Sequence, residues 1–143
     1  MSEEIKQVTN KKITLGNEIM TSREIDLHEP AWNQAELLER VDNDRELVRE
    51  LLTIFKEDFP QTIGSLEAAV SSGDLKNSGS LSHTLKGMLS NLGGARAAAA
   101  AARLEELAGA GEIAALRGAF DDLEREAGRL LPELDAYMAE VKS

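Results

Sequence analysis

The chain contains no cysteine, which removes disulfides, thiol nucleophiles and thiolate metal sites in one step. Aromatic residues make up only 3% of its 143 positions, too few for an aromatic-rich β-sandwich or barrel. No run approaches the roughly 18 apolar residues of a membrane span, and the opening MSEEI lacks the basic-then-apolar order of a secretion signal. Basic residues are scarce as well: 16 Lys and Arg stand against 26 Asp and Glu, for a formal charge of −10. A nucleic-acid binder normally shows the opposite balance. A soluble, cytoplasmic protein is expected, with neither nucleic acid nor membrane insertion among its roles.

What is present is helical patterning. The length suits one domain with a real core. Residues 1–29 mix charges of both signs and keep no sustained period, so they read as a linker or arm. Residues 30–143 carry apolar residues at helical spacing almost throughout. A short helix is expected over Ala31–Val41. A long one should follow an Asp44 cap, with the stripe Val48, Leu51, Leu52, Phe55, Phe59, Ile63, Leu66 and Val70 holding its phase across Pro60. A third runs from Leu75 to Leu92, where Gly93 and Gly94 stop it. An alanine-rich fourth covers Ala95–Ala108, and Gly109 to Gly111 turn the chain. The last places Ile113, Leu116, Phe120, Leu123, Ala127, Leu130, Leu134, Tyr137 and Val141 on one seam. The fold class is all-α: an antiparallel four-helix bundle, expected to be monomeric, with a short extra N-terminal helix.

Several motifs of autonomous chemistry fail on inspection. Asp42-Asn43-Asp44 opens like a calcium loop, but Leu47 occupies the glycine position and Thr53 the closing glutamate. Gly109 to Ala114 resembles a dinucleotide fingerprint with no strand before it. No phosphate loop exists, and neither histidine has the Glu-x-x-His context of a di-iron bundle. No metal site and no cofactor are expected on this chain.

His83 stands apart. With Leu85 at the centre of one helix face, Leu81, Met88, Leu89 and Leu92 fall within about 60° of it. His83 lies about 160° away, among Lys76, Gly79, Ser80, Gly87 and Ser90. Two helical glycines cost about 1 kcal/mol each against alanine, and stability gives no reason for them. Bare surface around one imidazole suits close approach by a partner. Residues 75–104 hold Lys76, Lys86, Arg96 and Arg103 and no acid, so an anion near His83 should meet positive potential. A neutral imidazole, with an unperturbed pKa of about 6.5, is nucleophilic near neutrality without a general base. Lys86, three residues on, is within reach of a group attached to the ring. His28, in the irregular arm, carries no such context.

At these residues the chain resembles a known family. Ser82-His83-Thr84-Leu85-Lys86-Gly87, followed by Ser90-Asn91-Leu92-Gly93, is similar to the signature of histidine phosphotransfer (HPt) domains of bacterial phosphorelays. Ala35 to Asp44 with Glu46-Leu47-Val48 resembles the family's opening helix and turn. Leu66 to Asp74 resembles the lead into its histidine helix, and Leu104-Glu105 its next helix. Coverage is about residues 31–141. Ser82 and Gly94 stand where alanine is usual, and Trp32-Asn33 replaces Phe-Asp.

The resemblance implies that His83 accepts and donates the phosphoryl group and Lys86 steadies it. Gly87 would leave room for the partner, and Gly93 would turn the chain after the histidine helix. The implied partners are response-regulator receiver domains and a sensor or hybrid histidine kinase, with magnesium bound on the receiver. Two alternatives stand beside this phosphocarrier reading. One is a receiver- or partner-binding module that carries no phosphate. The other is the substrate segment of a larger hybrid or chemotaxis-type kinase.

Overall fold

A computed structural model describes residues 29–142. The arm assigned to residues 1–29, His28 included, lies outside the described residues except for Glu29. The elements are α1 (Gln34–Arg40), α2 (Arg45–Ser72), α3 (Leu75–Asn91), α4 (Ala95–Gly109) and α5 (Ile113–Lys142). No strand occurs among the described residues. Helices α2 to α5 neighbour one another in a closed ring, α2 on α3, α3 on α4, α4 on α5 and α5 on α2, while α1 packs against α2.

Side-chain caps set where three helices begin. Asn33, Asp44 and Asp74 each accept a hydrogen bond from the backbone N–H three residues on, at 3.0, 3.0 and 3.1 Å, satisfying donors the helix cannot. Gly73 closes α2 in the left-handed conformation, φ 71°, and the Asp74 N–H then reaches back to the Ala69 carbonyl at 2.9 Å. The α1–α2 turn uses Asp42 and Asn43 at φ 54° and 61°, residue types that tolerate this region. Pro60 and Pro132 lie inside α2 and α5 without ending them, both on the exposed side.

The core joins Leu52, Leu66, Leu85, Leu104, Phe120 and Leu134, all fully buried; each such side chain stabilises by about 1.5–3 kcal/mol. Helix α3 turns Ser78, Ser82, Leu85 and Leu89 inward, and α4 answers with Ala97, Ala98, Ala100, Ala101 and Leu104. Small side chains on both partners let the two backbones approach closely. One cost is visible: the Ser78 and Ser82 hydroxyls are buried without a hydrogen-bond partner.

Three sequence expectations change. Helix α1 starts at Gln34, not Ala31, because Trp32 and Asn33 are fastened to the end of α3. The Trp32 indole N–H donates to the Leu92 carbonyl at 2.7 Å, and the Asn33 N–H to the Gly93 carbonyl at 2.9 Å. Leu51 leaves the core, 37% exposed, since it lies one position off the buried Val48–Leu52–Phe55 line. Ile113 is 52% exposed, being the first residue of α5 and beyond the reach of the seam. The Val141 side chain is outside the described ones.

Gly93 itself leaves no alternative. Its φ is +90°, and a Cβ there would meet the Asn33 carbonyl oxygen at 2.6 Å.

Candidate functional site

Helix α3 presents Lys76, Ser80, His83, Gly87 and Ser90 at steps of four, three, four and three, and all five are exposed. That spacing keeps them on one face. The His83 side chain is 68% exposed. A Cβ on Gly87 would meet nothing within 4 Å, so the surface beside the ring is open. Gly79 is half-buried and turned toward α4, where its Cβ would lie 3.5 Å from that of Ala108. Lys76, Gly79 and Ser80 line a groove with His83, whose far wall is α4. Gly87 and Ser90 continue the face toward the end of α3, where the Ser90 carbonyl accepts from Arg40 at 3.2 Å.

The α4 wall supplies a residue that single-helix reasoning missed. Glu105 places Oε2 at 2.9 Å from His83 Nδ1 and Oε1 at 2.9 Å from Lys86 Nζ. The expected all-positive patch is corrected accordingly. The acid-free stretch ended one residue too early, at Leu104, and Arg96 is buried against Glu126 instead of facing solvent. A wheel drawn on one helix cannot show what the neighbouring helix contributes. The available signals were Glu105's placement one residue after Leu104 and the resemblance of Leu104-Glu105 to the family's next helix, neither of which assigned it a role.

The chemistry of the trio follows from its hydrogen bonds. Lys86 donates to Glu105 and holds its carboxyl below the usual carboxylate range; partial burial opposes this, and His83 adds to it. Glu105 is therefore an anion near neutrality, able only to accept. The hydrogen it shares with His83 sits on Nδ1. In the neutral ring Nε2 then carries the lone pair, and the carboxylate fixes both tautomer and ring orientation.

A second, mostly apolar groove of about 450 Å³ lies between α2 and α3, lined by Leu51, Ile54, Phe55, Asp58, Met88 and Leu92. Thr84 borders both grooves. Ile54 is 54% exposed, and with Leu47 and Leu51 it forms a second apolar line on α2 beside the buried one. Among the described residues no group of three or more His, Asp or Glu side chains is placed to hold a metal ion. No described helix is long and apolar enough to cross a membrane.

Comparison with known proteins gives this geometry a family. The sequence model of the Hpt domain matches residues 50–143, well over half of the chain. The crystal structure of histidine-containing phosphotransfer protein B (HptB) from Pseudomonas aeruginosa PAO1 superposes with a TM-score of 0.73 at 25% identity, covering 78% of this chain and 96% of that one. No curated protein matches. The all-helical bundle described above agrees with that match. The chain belongs to the Hpt domain family and is a phosphocarrier domain of histidine phosphotransfer, not an autonomous enzyme.

Proposed function

We propose that the chain is a phosphorelay intermediate in which His83 takes a phosphoryl group from the aspartate of one receiver domain and yields it to the aspartate of another. The observation that carries this reading is the exposed imidazole with Nδ1 tied to Glu105 and Lys86 beside it. Nε2 is the nucleophile. Lys86 lies where it can offset the charge of a phosphoryl group on the ring. Lys76, Gly79, Ser80, Gly87 and Ser90 form the docking face, and the apolar groove by Leu51, Ile54 and Met88 extends it across Thr84. The magnesium ion belongs to the receiver, so this chain brings only the acceptor and its electrostatic surroundings. A sensor or hybrid kinase stands upstream of the first receiver.

The test is intact mass after incubation with a panel of phosphorylated receivers and magnesium. The expected result is a gain of one phosphoryl group that survives alkali and is lost in acid. In His83→Gln the gain is absent while melting is unchanged, because substitutions of exposed side chains usually stay within about 0.5 kcal/mol. No gain from any receiver in the panel would sink the relay reading and leave a docking module.

A further inference from the structure

The mostly apolar groove between α2 and α3 has the chain's entry into the bundle at one of its ends. We propose that this groove is a binding site for the chain's own N-terminal arm, with Arg23, Ile25 and Leu27 as the side chains it receives. Only the consequence for phosphoryl transfer rests on the docking face given above.

The groove defines its occupant. Leu51 and Ile54 stay 37% and 54% exposed on α2, and Phe55, Met88 and Leu92 continue the apolar lining. Exposed apolar surface of this kind marks a place where another apolar segment settles. Asp58 is the one charged residue lining it among the described residues, and Gln61 and Asn91 bring amide donors and acceptors. A fitting segment carries apolar side chains on one face, a cation in line with them, and a backbone free to hydrogen-bond.

The sequence Arg23-Glu24-Ile25-Asp26-Leu27 has that composition. In an extended chain alternate residues share a face, which groups Arg23, Ile25 and Leu27 and turns Glu24 and Asp26 the other way. The attachment point is also suitable. Glu29 and Pro30 are exposed, and just beyond them Trp32 donates to the carbonyl of Leu92, which itself lines the groove. Helices α2 and α3 are joined by Gly73 and Asp74 and run antiparallel, so Leu92 lies toward the Leu51 end and Thr84 toward Thr62.

Reach is sufficient. The lining from Leu51 to Thr62 is about 16 Å long at helical rise, whereas an extended chain from Pro30 back to Arg23 covers about 23 Å. Laid along this path, Leu27 comes to Leu51 and Leu92, Ile25 to Ile54 and Met88, and Arg23 to Asp58. A short tether supplies an effective concentration on the order of millimolar, so a modest contact is enough. Thr84 borders both grooves. A receiver that reaches His83 across Thr84 therefore has to displace the arm.

The chain has no cysteine, so introduced pairs report proximity in the full-length protein. Ile25→Cys with Ile54→Cys is compared with Ile25→Cys with Glu124→Cys, whose second site is exposed on α5. In dilute glutathione disulfide the first pair should close an intrachain bond at least tenfold faster. Separately, Ile25→Ser with Leu27→Ser should move the amide resonances of Leu51, Ile54 and Met88, and should speed transfer from a phosphorylated receiver several-fold. Equal closure rates with unmoved groove resonances would overturn the proposal. So would a bond formed chiefly between two copies and growing with concentration, which would make a second molecule the occupant. Moved resonances with unchanged transfer would keep the arm in the groove and remove the groove from the receiver's docking face. Failure of both the unaltered protein and the arm variant to accept a phosphoryl group would sink the relay reading, while closure rates and resonances still decide where the arm lies.

Discussion

Arg96 and Glu126 face each other across the α4–α5 seam as a buried bidentate pair, Nε to Oε1 at 2.8 Å and Nη2 to Oε2 at 2.9 Å. The side chains are only 4% and 5% exposed. The guanidinium hydrogen bonds hold the Glu126 carboxyl below the usual carboxylate range; burial pushes the other way and loses, and nearby Arg129 and Arg125 assist. Removing one partner of such a pair strands the other charge in the interior, which typically costs about 3–5 kcal/mol. Glu126→Ala should lower the unfolding free energy by about that much in urea titrations. Because the native pKa is depressed, the contribution is present above the unfolded value of about 4.3 and fades as pH falls through the native one. The gap between the unaltered protein and the variant should therefore close toward acid pH. A gap of constant size down to pH 2 would show that the pair's ionisation is not what stabilises the seam.

Ser82 adjoins His83 in sequence yet points into the α3–α4 interface, fully buried with an unpartnered hydroxyl. A buried polar group in that state costs roughly 1–3 kcal/mol. Ser82→Ala should raise the melting temperature by several degrees, since about 1 kcal/mol moves a domain of this size by a few degrees. Phosphoryl acceptance by His83 should not change, because the hydroxyl faces away from the ring. A loss of stability on this substitution would mean that the hydroxyl finds a partner, such as an enclosed water.

Gly87 separates folding from docking. With open space where its Cβ would stand, Gly87→Ala should stabilise α3 by up to about 1 kcal/mol. Gly87→Leu should fold equally well but slow transfer from a phosphorylated receiver at least tenfold, equivalent to about 1.4 kcal/mol of lost complex. Stopped-flow transfer beside thermal melts distinguishes the two effects. Wild-type transfer by the leucine variant would place the receiver elsewhere on the bundle.

Much of this architecture was legible in the residues because helical periodicity is a local property. The cap at Asp44, the glycine stop after α3, and the inward faces of α3 and α5 depend on spacing alone. The face bearing His83 could be drawn on one wheel for the same reason. What escaped were relations between helices. Glu105 reaches His83 and Lys86 only because two alanine- and serine-lined faces bring α4 close to α3. Arg96 counts as a surface charge until α5 presents Glu126. Leu51 and Ile113 have the apolar character of core residues, and only the edges of their neighbours decide that they stay outside. Trp32 looked like the start of a helix, and its actual role depends on a carbonyl 60 residues away.

That last contact has a consequence for where the domain begins. The final turn of the histidine helix and the loop after it are completed by chain that precedes α2. Trp32 serves Leu92, Asn33 serves Gly93, and Arg40 serves both Ser90 and Asn91. The segment matched to the family starts only at residue 50. The stretch that the family model matches is thus shorter than the stretch whose hydrogen bonds complete the fold. A chain trimmed to that match would retain His83, Lys86 and Glu105, but would leave the helix that displays the histidine open at one end.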